Sequence, residues 1–164
     1  MPLARAHEIF VRSLRDLCAY AAARGIGIAV ENNVIAPFNL VNGRNLLGLC
    51  ATAEDVLRTH AEVGAPNLGF LVDTGHAKVT AGALGFDPQR FLDAVAPHVV
   101  AFHLSDNDGT ADTNQPFDER AWFVPRLAEF PRATMILEAY RLDVDAIRAG
   151  CAVVERARAR VPAV

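Results

Sequence analysis

Long apolar runs are missing from this sequence: none approaches the roughly 20 residues that a bilayer crossing needs. Excess positive charge is missing as well. The 164 residues carry a net charge of −3, so no electrostatic attraction to nucleic acid or to an anionic membrane surface is expected. Cysteine is scarce. Cys18, Cys50 and Cys151 are odd in number and far apart. They form neither a CxxC pair nor a disulfide framework, which points to reduced thiols and a cytoplasmic setting. The start, Met1-Pro2-Leu3-Ala4-Arg5-Ala6-His7, lacks a basic segment followed by an apolar one, so no signal peptide is expected. Low-complexity segments and linkers are absent too, and the chain reads as a single domain over residues 1–164. What remains is ordinary: 52% hydrophobic and 21% charged residues, enough for one real core.

Within that composition four short apolar runs share one form. Each is finished by a residue able to bind a metal or move a proton. Ile26-Gly27-Ile28-Ala29-Val30 ends in Glu31, and Leu68-Gly69-Phe70-Leu71-Val72 ends in Asp73, with Thr74-Gly75-His76 following. Val99-Val100-Ala101-Phe102 ends in His103, and Thr134-Met135-Ile136-Leu137 ends in Glu138. The first run is apolar on both faces, the habit of a parallel strand covered by helices.

Helical patterns lie between these runs. Ala6, Phe10, Leu14, Leu17, Cys18 and Ala21 fall at helical spacing and predict a helix over 3–24, stopped at Gly25. Thr52 and Asp55 resemble a capping box ahead of a helix from Ala53 to Val63, which stops at Gly64. Asp87-Pro88 opens another, to about Ala96. Residues 118–130, with Trp122 and Phe123, predict a further helical segment, ended by Pro131. Asp143 caps a last helix running to about Arg160. Residues 77–85 are small and read as flexible, and the Asn-rich stretch 32–50 reads as a long functional loop. The polar segment 105–116 predicts an exposed loop, with Asp106, Asn107 and Asp108 as turn formers. His7, His60 and His98 read as structural or solvent-facing, and Trp122 as packing.

Strand–helix repetition implies a parallel sheet with right-handed crossovers. In such sheets ligands sit beyond the carboxyl ends of the strands, where Glu31, Asp73, His103 and Glu138 are all expected. Three carboxylates crowded together repel unless a cation or protons intervene. Oxygen-rich ligation with one imidazole suits Mn²⁺, Mg²⁺ or Co²⁺ better than Zn²⁺. Such an ion acts as a Lewis acid on a carbonyl and holds the adjacent hydroxyl. Proton transfer next to that carbonyl is then accessible, with Glu31 and Glu138 as the acid/base pair. His76 is placed to hydrogen-bond the substrate carbonyl or to bind a second metal.

Val30-Glu31-Asn32, Val72-Asp73-Thr74-Gly75-His76, His103-Leu104-Ser105-Asp106-Asn107-Asp108-Gly109 and Leu137-Glu138 together resemble the xylose-isomerase-like TIM barrels. The resemblance covers nearly the whole chain but only the C-terminal half of a family barrel. It implies an α/β fold, a partial (β/α)8 barrel made of parallel strands five to eight with their helices. It implies sugar or sugar-phosphate isomerase/epimerase activity on a small-molecule sugar or polyol, with metal ligation by Glu31, Asp73, His103 and Glu138. Asn32, in the Asn-rich loop, and Asp112 and Asn114 join His76 as substrate-reading positions. The endonuclease branch of the family carries Asp-x-His where this chain has Asp112-Thr113-Asn114. Asparagine is a poor zinc ligand, so an endonuclease-like phosphodiesterase ranks second. A truncated, non-catalytic module ranks third. Gly109 stands near the place where ketohexose epimerases carry an arginine. Four strands alone leave two edges and one bare sheet face, which implies a missing N-terminal half or a homo-oligomer.

Overall fold

The four apolar runs become four parallel strands. In the computed structural model, which describes residues 1–159, the helices are α1 (Leu3–Ala22), α2 (Ala53–Val63), α3 (Thr74–Leu84), α4 (Pro88–Val95) and α5 (Val144–Arg158). The strands are β1 (Ile28–Glu31), β2 (Leu68–Asp73), β3 (Val99–Leu104) and β4 (Thr134–Leu137). They stand in chain order, β1-β2-β3-β4, and every neighbouring pair is parallel. Parallel neighbours need a crossover connection. The connecting segments supply the apolar cover for one face of the sheet. The sheet does not close: β1 and β4 are its two edges. This is the partial barrel expected from the sequence.

The residues facing the helices are the large ones. Phe70, Val72, Phe102 and Leu104 are buried against Leu92, Phe123 and Leu127. Alternation along each strand sends the others to the opposite, inner face. On β1 this parity separates Val30, which packs on the core, from Ala29 and Glu31, which are exposed. A strand that reads as apolar on both faces is therefore two-sided in the fold. The inner position at its end is taken by a carboxylate.

Helix ends follow local chemistry. Thr52 Oγ1 accepts the Asp55 backbone N–H, and Gly64 closes α2 with φ 65°. Asp87 accepts the Gln89 N–H and Pro88 takes the first helical position of α4. On α1 the buried face is His7, Val11, Leu14, Cys18 and Ala21. Leu17, expected on that face, is 53% exposed. The face is turned towards His7 because His7 Nε2 meets Glu62 Oε2 of α2 at 3.0 Å.

Three expectations change. Residues 77–85 are not flexible: most of them lie in α3, a regular helix begun by Asp73. Its small residues serve close packing. A Cβ on Gly75 would stand 2.6 Å from Ser105 Oγ, and one on Gly82 would stand 2.8 Å from the Gly109 carbonyl oxygen. The 118–130 segment holds a 3-10 stretch, Val124–Glu129, in place of an α-helix. Its six residues make two turns, with Pro125 in the first, where its missing N–H is tolerated. β1 begins at Ile28, two residues later than Ile26. The expected end of the last helix near Arg160 lies outside the described residues.

Candidate active site

Strand parity and register bring four side chains together. Glu31 ends β1 and Asp73 ends β2. His103 is the second-last residue of β3, paired in register with Asp73. Glu138 follows β4, its N–H bonded to the Leu104 carbonyl at 3.1 Å. One ligand atom from each of the four lies within 4.8 Å of the other three. The centre is His103 Nδ1, which stands 2.5 Å from Glu138 Oε2, 3.3 Å from Glu31 Oε1 and 3.9 Å from Asp73 Oδ2.

The carboxylates differ in setting. Asp73 is 1% exposed and forms the floor of the cluster. Its Oδ1 accepts the His76 N–H at 2.7 Å and so caps α3. Its Oδ2 is buried with no hydrogen-bond partner, and so is Glu138 Oε2, whose close approach to His103 lacks hydrogen-bond geometry. Burial is the main cause that pushes the Asp73 carboxyl up to about 6. The charges of Glu31 and Glu138 push the same way, and His76 opposes them. Glu31 and Glu138 occupy the two outer strands, so they reach the centre from opposite sides, each more than a third exposed.

Buried oxygens left without donors, gathered round an imidazole nitrogen, are a costly arrangement for a metal-free protein. They are what a divalent cation would satisfy. The donor set, three carboxylates and one imidazole, fits an oxygen-preferring divalent ion.

His76 lies in the first turn of α3 beside the cluster. Its Nδ1 stands 2.9 Å from the Asn32 carbonyl oxygen and 3.6 Å from Glu31 Oε1. Its Nε2 stands 3.2 Å from Asp112 Oδ2. Burial alone would push this imidazole down. Asp73, the Asn32 carbonyl, Asp112 and Glu31 outweigh it and hold His76 above its usual value. Asp112 Oδ1 is buried and has no hydrogen-bond partner. A cleft of about 390 Å³ opens beside Glu31 and His76 and runs past Asn33, Val30 and Phe10 at the free edge of β1.

Two of the expected substrate-reading residues are spent internally. Asn32 is buried; its Oδ1 accepts the Asp73 N–H at 2.7 Å and its Nδ2 donates to the Asp73 carbonyl at 3.2 Å. That side chain continues the β1–β2 ladder by one rung and holds the Asp73 backbone. Asn114 is buried with φ 42°, and its Oδ1 accepts the Ser105 hydroxyl at 3.1 Å. The 105–116 loop is therefore anchored rather than simply exposed. Ser105, Asn107 and Asn114 are all buried, and Asp106 exchanges two backbone hydrogen bonds with Gln115.

Sequence reasoning missed the residues that hold this scaffold. Thr74 Oγ1 donates to the Ser105 carbonyl and accepts the Ser105 N–H, tying α3 to the end of β3. Lys78 Nζ donates to Asp106 Oδ1 at 2.6 Å and also to the Asn107 carbonyl. Thr80 Oγ1 accepts the Ile35 N–H at 2.9 Å and anchors the 32–50 loop. Trp122, read as packing, also donates its indole N–H to the Thr74 carbonyl at 3.2 Å. Each is an ordinary helix or loop residue by type. The only advance signal was the small-residue run that lets α3 lie so close to the loop.

Three solved structures share the fold. A D-tagatose 3-epimerase-like protein aligns with a TM-score of 0.64 at 22% identity, over 90% of this chain and 52% of its own. A candidate xylose isomerase from Rhodospirillum rubrum aligns at 0.61 and 23% identity, over 97% of this chain and 57% of its own. AsbF of Bacillus anthracis, assigned as a 3-DHS dehydratase in petrobactin synthesis, aligns at 0.55 and 15% identity, over 93% and 56%. The chain thus spans a little over half the length of these structures. No curated protein sequence matches it. Among the described residues no helix is long and apolar enough to cross a membrane. Residues 2–153 match the family described as the xylose isomerase-like TIM barrel, and the chain belongs to it.

Proposed function

We propose that this chain carries the metal-binding and proton-transfer half of a sugar or polyol isomerase/epimerase. The observation that carries this reading is the convergence of Glu31, Asp73, His103 and Glu138 within 4.8 Å, with two buried carboxylate oxygens left without donors. The designations of two structural neighbours, D-tagatose 3-epimerase-like and xylose isomerase, agree with a sugar substrate. Glu31, Asp73, His103 through Nδ1, and Glu138 hold a divalent ion, with Mn²⁺, Mg²⁺ or Co²⁺ favoured over Zn²⁺. When bound, the ion supplies Lewis acidity towards a substrate carbonyl.

The chain's own groups then divide the work. Glu31 and Glu138 approach from the two outer strands and move a proton at the carbon beside the carbonyl, one on each side. His76, held between the Asn32 carbonyl and Asp112, donates a hydrogen bond to a substrate oxygen. Asp112 steadies that imidazole through its contact with Nε2. Asn32 and Asn114 position Asp73 and the 105–116 loop rather than touch substrate. Asn114, whose Oδ1 accepts the Ser105 hydroxyl, counts against the multi-zinc endonuclease reading. A cytoplasmic setting accords with the three unpaired thiols.

The test is deuterium uptake. The chain is loaded with Mn²⁺ and incubated with a ketohexose in D₂O, and exchange at the carbon beside the carbonyl is followed by NMR. Uptake that is lost in Glu138→Gln supports the reading. Absence of uptake, or equal uptake in Glu138→Gln, overturns it. Cleavage of abasic-site DNA with Zn²⁺ would put the phosphodiesterase in its place.

A further inference from the structure

The five histidines of the chain divide into two kinds. His7, His76 and His103 each meet a carboxylate, from Glu62, Asp112 and Glu138 respectively. His60 and His98 meet each other. Their ring centroids stand 3.9 Å apart with the planes inclined by 31°, and the Phe70 ring lies 6.0 Å from His60. Both imidazoles are half-buried. Among the described residues none of their four ring nitrogens has a hydrogen-bond or ion-pair partner, and none is sealed from solvent.

The pair lies at the amino end of the sheet, opposite the carboxylate cluster. His60 is in the last turn of α2, and His98 ends the short 3-10 turn that leads into β3. Two features suit the pair to a cation that favours nitrogen. Burial, with His60 adding to it, holds His98 below its usual value, so at neutral pH it is the uncharged imidazole that ligates metals. His60 also stands at the carboxyl end of α2, the negative end of the helix dipole. Two protons on the pair would set like charges against each other, whereas one divalent ion satisfies a lone pair of each ring.

We propose that His60 and His98 form a second metal site, for ions that take imidazole, the class of Zn²⁺, Cu²⁺ and Ni²⁺, with water completing the shell. Ligation by imidazole without carboxylate does not suit Mg²⁺ or Mn²⁺. The two ends of the sheet therefore sort ions by donor type, oxygen-rich at the carboxyl ends and nitrogen at the amino ends. On binding, the stacked rings fan apart about their side-chain torsions until each brings one nitrogen to the Zn–N length of about 2.0–2.1 Å. The ion then clips the end of α2 to the start of β3 and stabilises the folded chain. This site stands apart from the reaction at the other end of the sheet.

The probe is Zn²⁺, titrated into the full chain. The ring ¹⁵N resonances of the histidines are followed by NMR, and bound zinc is counted after dialysis. The expected result is that the His60 and His98 resonances shift together, and that they still do so in Asp73→Asn. Wild type holds one zinc ion more than His60→Gln or His98→Gln, two variants that leave the circular dichroism unchanged. Zn²⁺ also raises the thermal midpoint of both variants by less than that of wild type. Equal zinc counts in wild type and the two variants overturn the proposal. So does a titration in which His76 and His103 respond while His60 and His98 keep their resonances, or one of the pair shifts without the other.

Discussion

The two faces of one sheet behave as different materials. On the helix side, Phe70, Val72, Phe102 and Leu104 are at most 1% exposed. On the inner side, one residue away along the same strands, stand Val100 and Ile136, among the most exposed aliphatic side chains of the sheet, and then the cluster of ionisable groups. The helix side is where folding free energy comes from, since apolar burial contributes about 25 cal/mol per Å². The inner side gains little from folding. It instead holds two buried carboxylate oxygens without hydrogen-bond donors, Asp73 Oδ2 and Glu138 Oε2. The comparison teaches that in this chain stability and chemistry are separated by the pleat, not by position along the sequence.

The comparison can be broken first on the covered face. Phe102 is fully buried and packs edge-on against Phe130 at 5.0 Å. Phe102→Ala should cost about 3–5 kcal/mol, read by urea unfolding. The next largest effect lies at the floor of the cluster. Asp73→Asn removes a charged ligand but keeps a good helix cap for α3. Its Mn²⁺ affinity, measured by calorimetry, should fall at least about a hundredfold while circular dichroism is unchanged. Retained affinity would remove Asp73 from the cation site.

Asn32→Ala leaves the Asp73 N–H buried without an acceptor. It should cost about 1–3 kcal/mol of stability and weaken Mn²⁺ binding through the displaced Asp73. pH sharpens the contrast further. The Asp73 carboxyl is raised to about 6 by burial, so below that pH the folded protein holds a proton that a cation must displace. Mn²⁺ affinity should therefore fall by up to about tenfold per pH unit below 6. The metal-free chain should respond in the opposite sense. A raised acid group favours the folded state at low pH, and that contribution is lost as pH rises through about 6. The smallest effect belongs to the open face, where Ile136→Ser should change stability by no more than about 0.5 kcal/mol in the free chain. A large loss there would mean that the inner face is already covered.

Much of this architecture was legible in the residues. The four apolar runs, the Gly64 stop, the Asp87-Pro88 start and the Asp143 cap are local signals with local causes, and apart from the two-residue delay of β1 each stands where it was expected. The helical nature of 74–84 was not legible, because its composition of glycine and alanine carries almost no amphipathic pattern. That helix is begun by a side chain, Asp73, that reads equally well as a metal ligand. The roles of Asn32 and Asn114 were also hidden. An asparagine near a strand end looks the same whether its amide faces a ligand or bonds a backbone forty-one residues away, as Asn32 does with Asp73.

By itself the sequence determined the strands, their parallel sense and the identity of the four residues at or beside their carboxyl ends. These depend on hydrophobic runs and on the chain's need to return between strands, both written locally. Only the tertiary structure decided which face those residues share, how close Nδ1 of His103 comes to three carboxylates, and which polar side chains are consumed in holding them there. Those outcomes depend on register and on hydrogen bonds between distant segments, which pairwise spacing in a sequence does not encode.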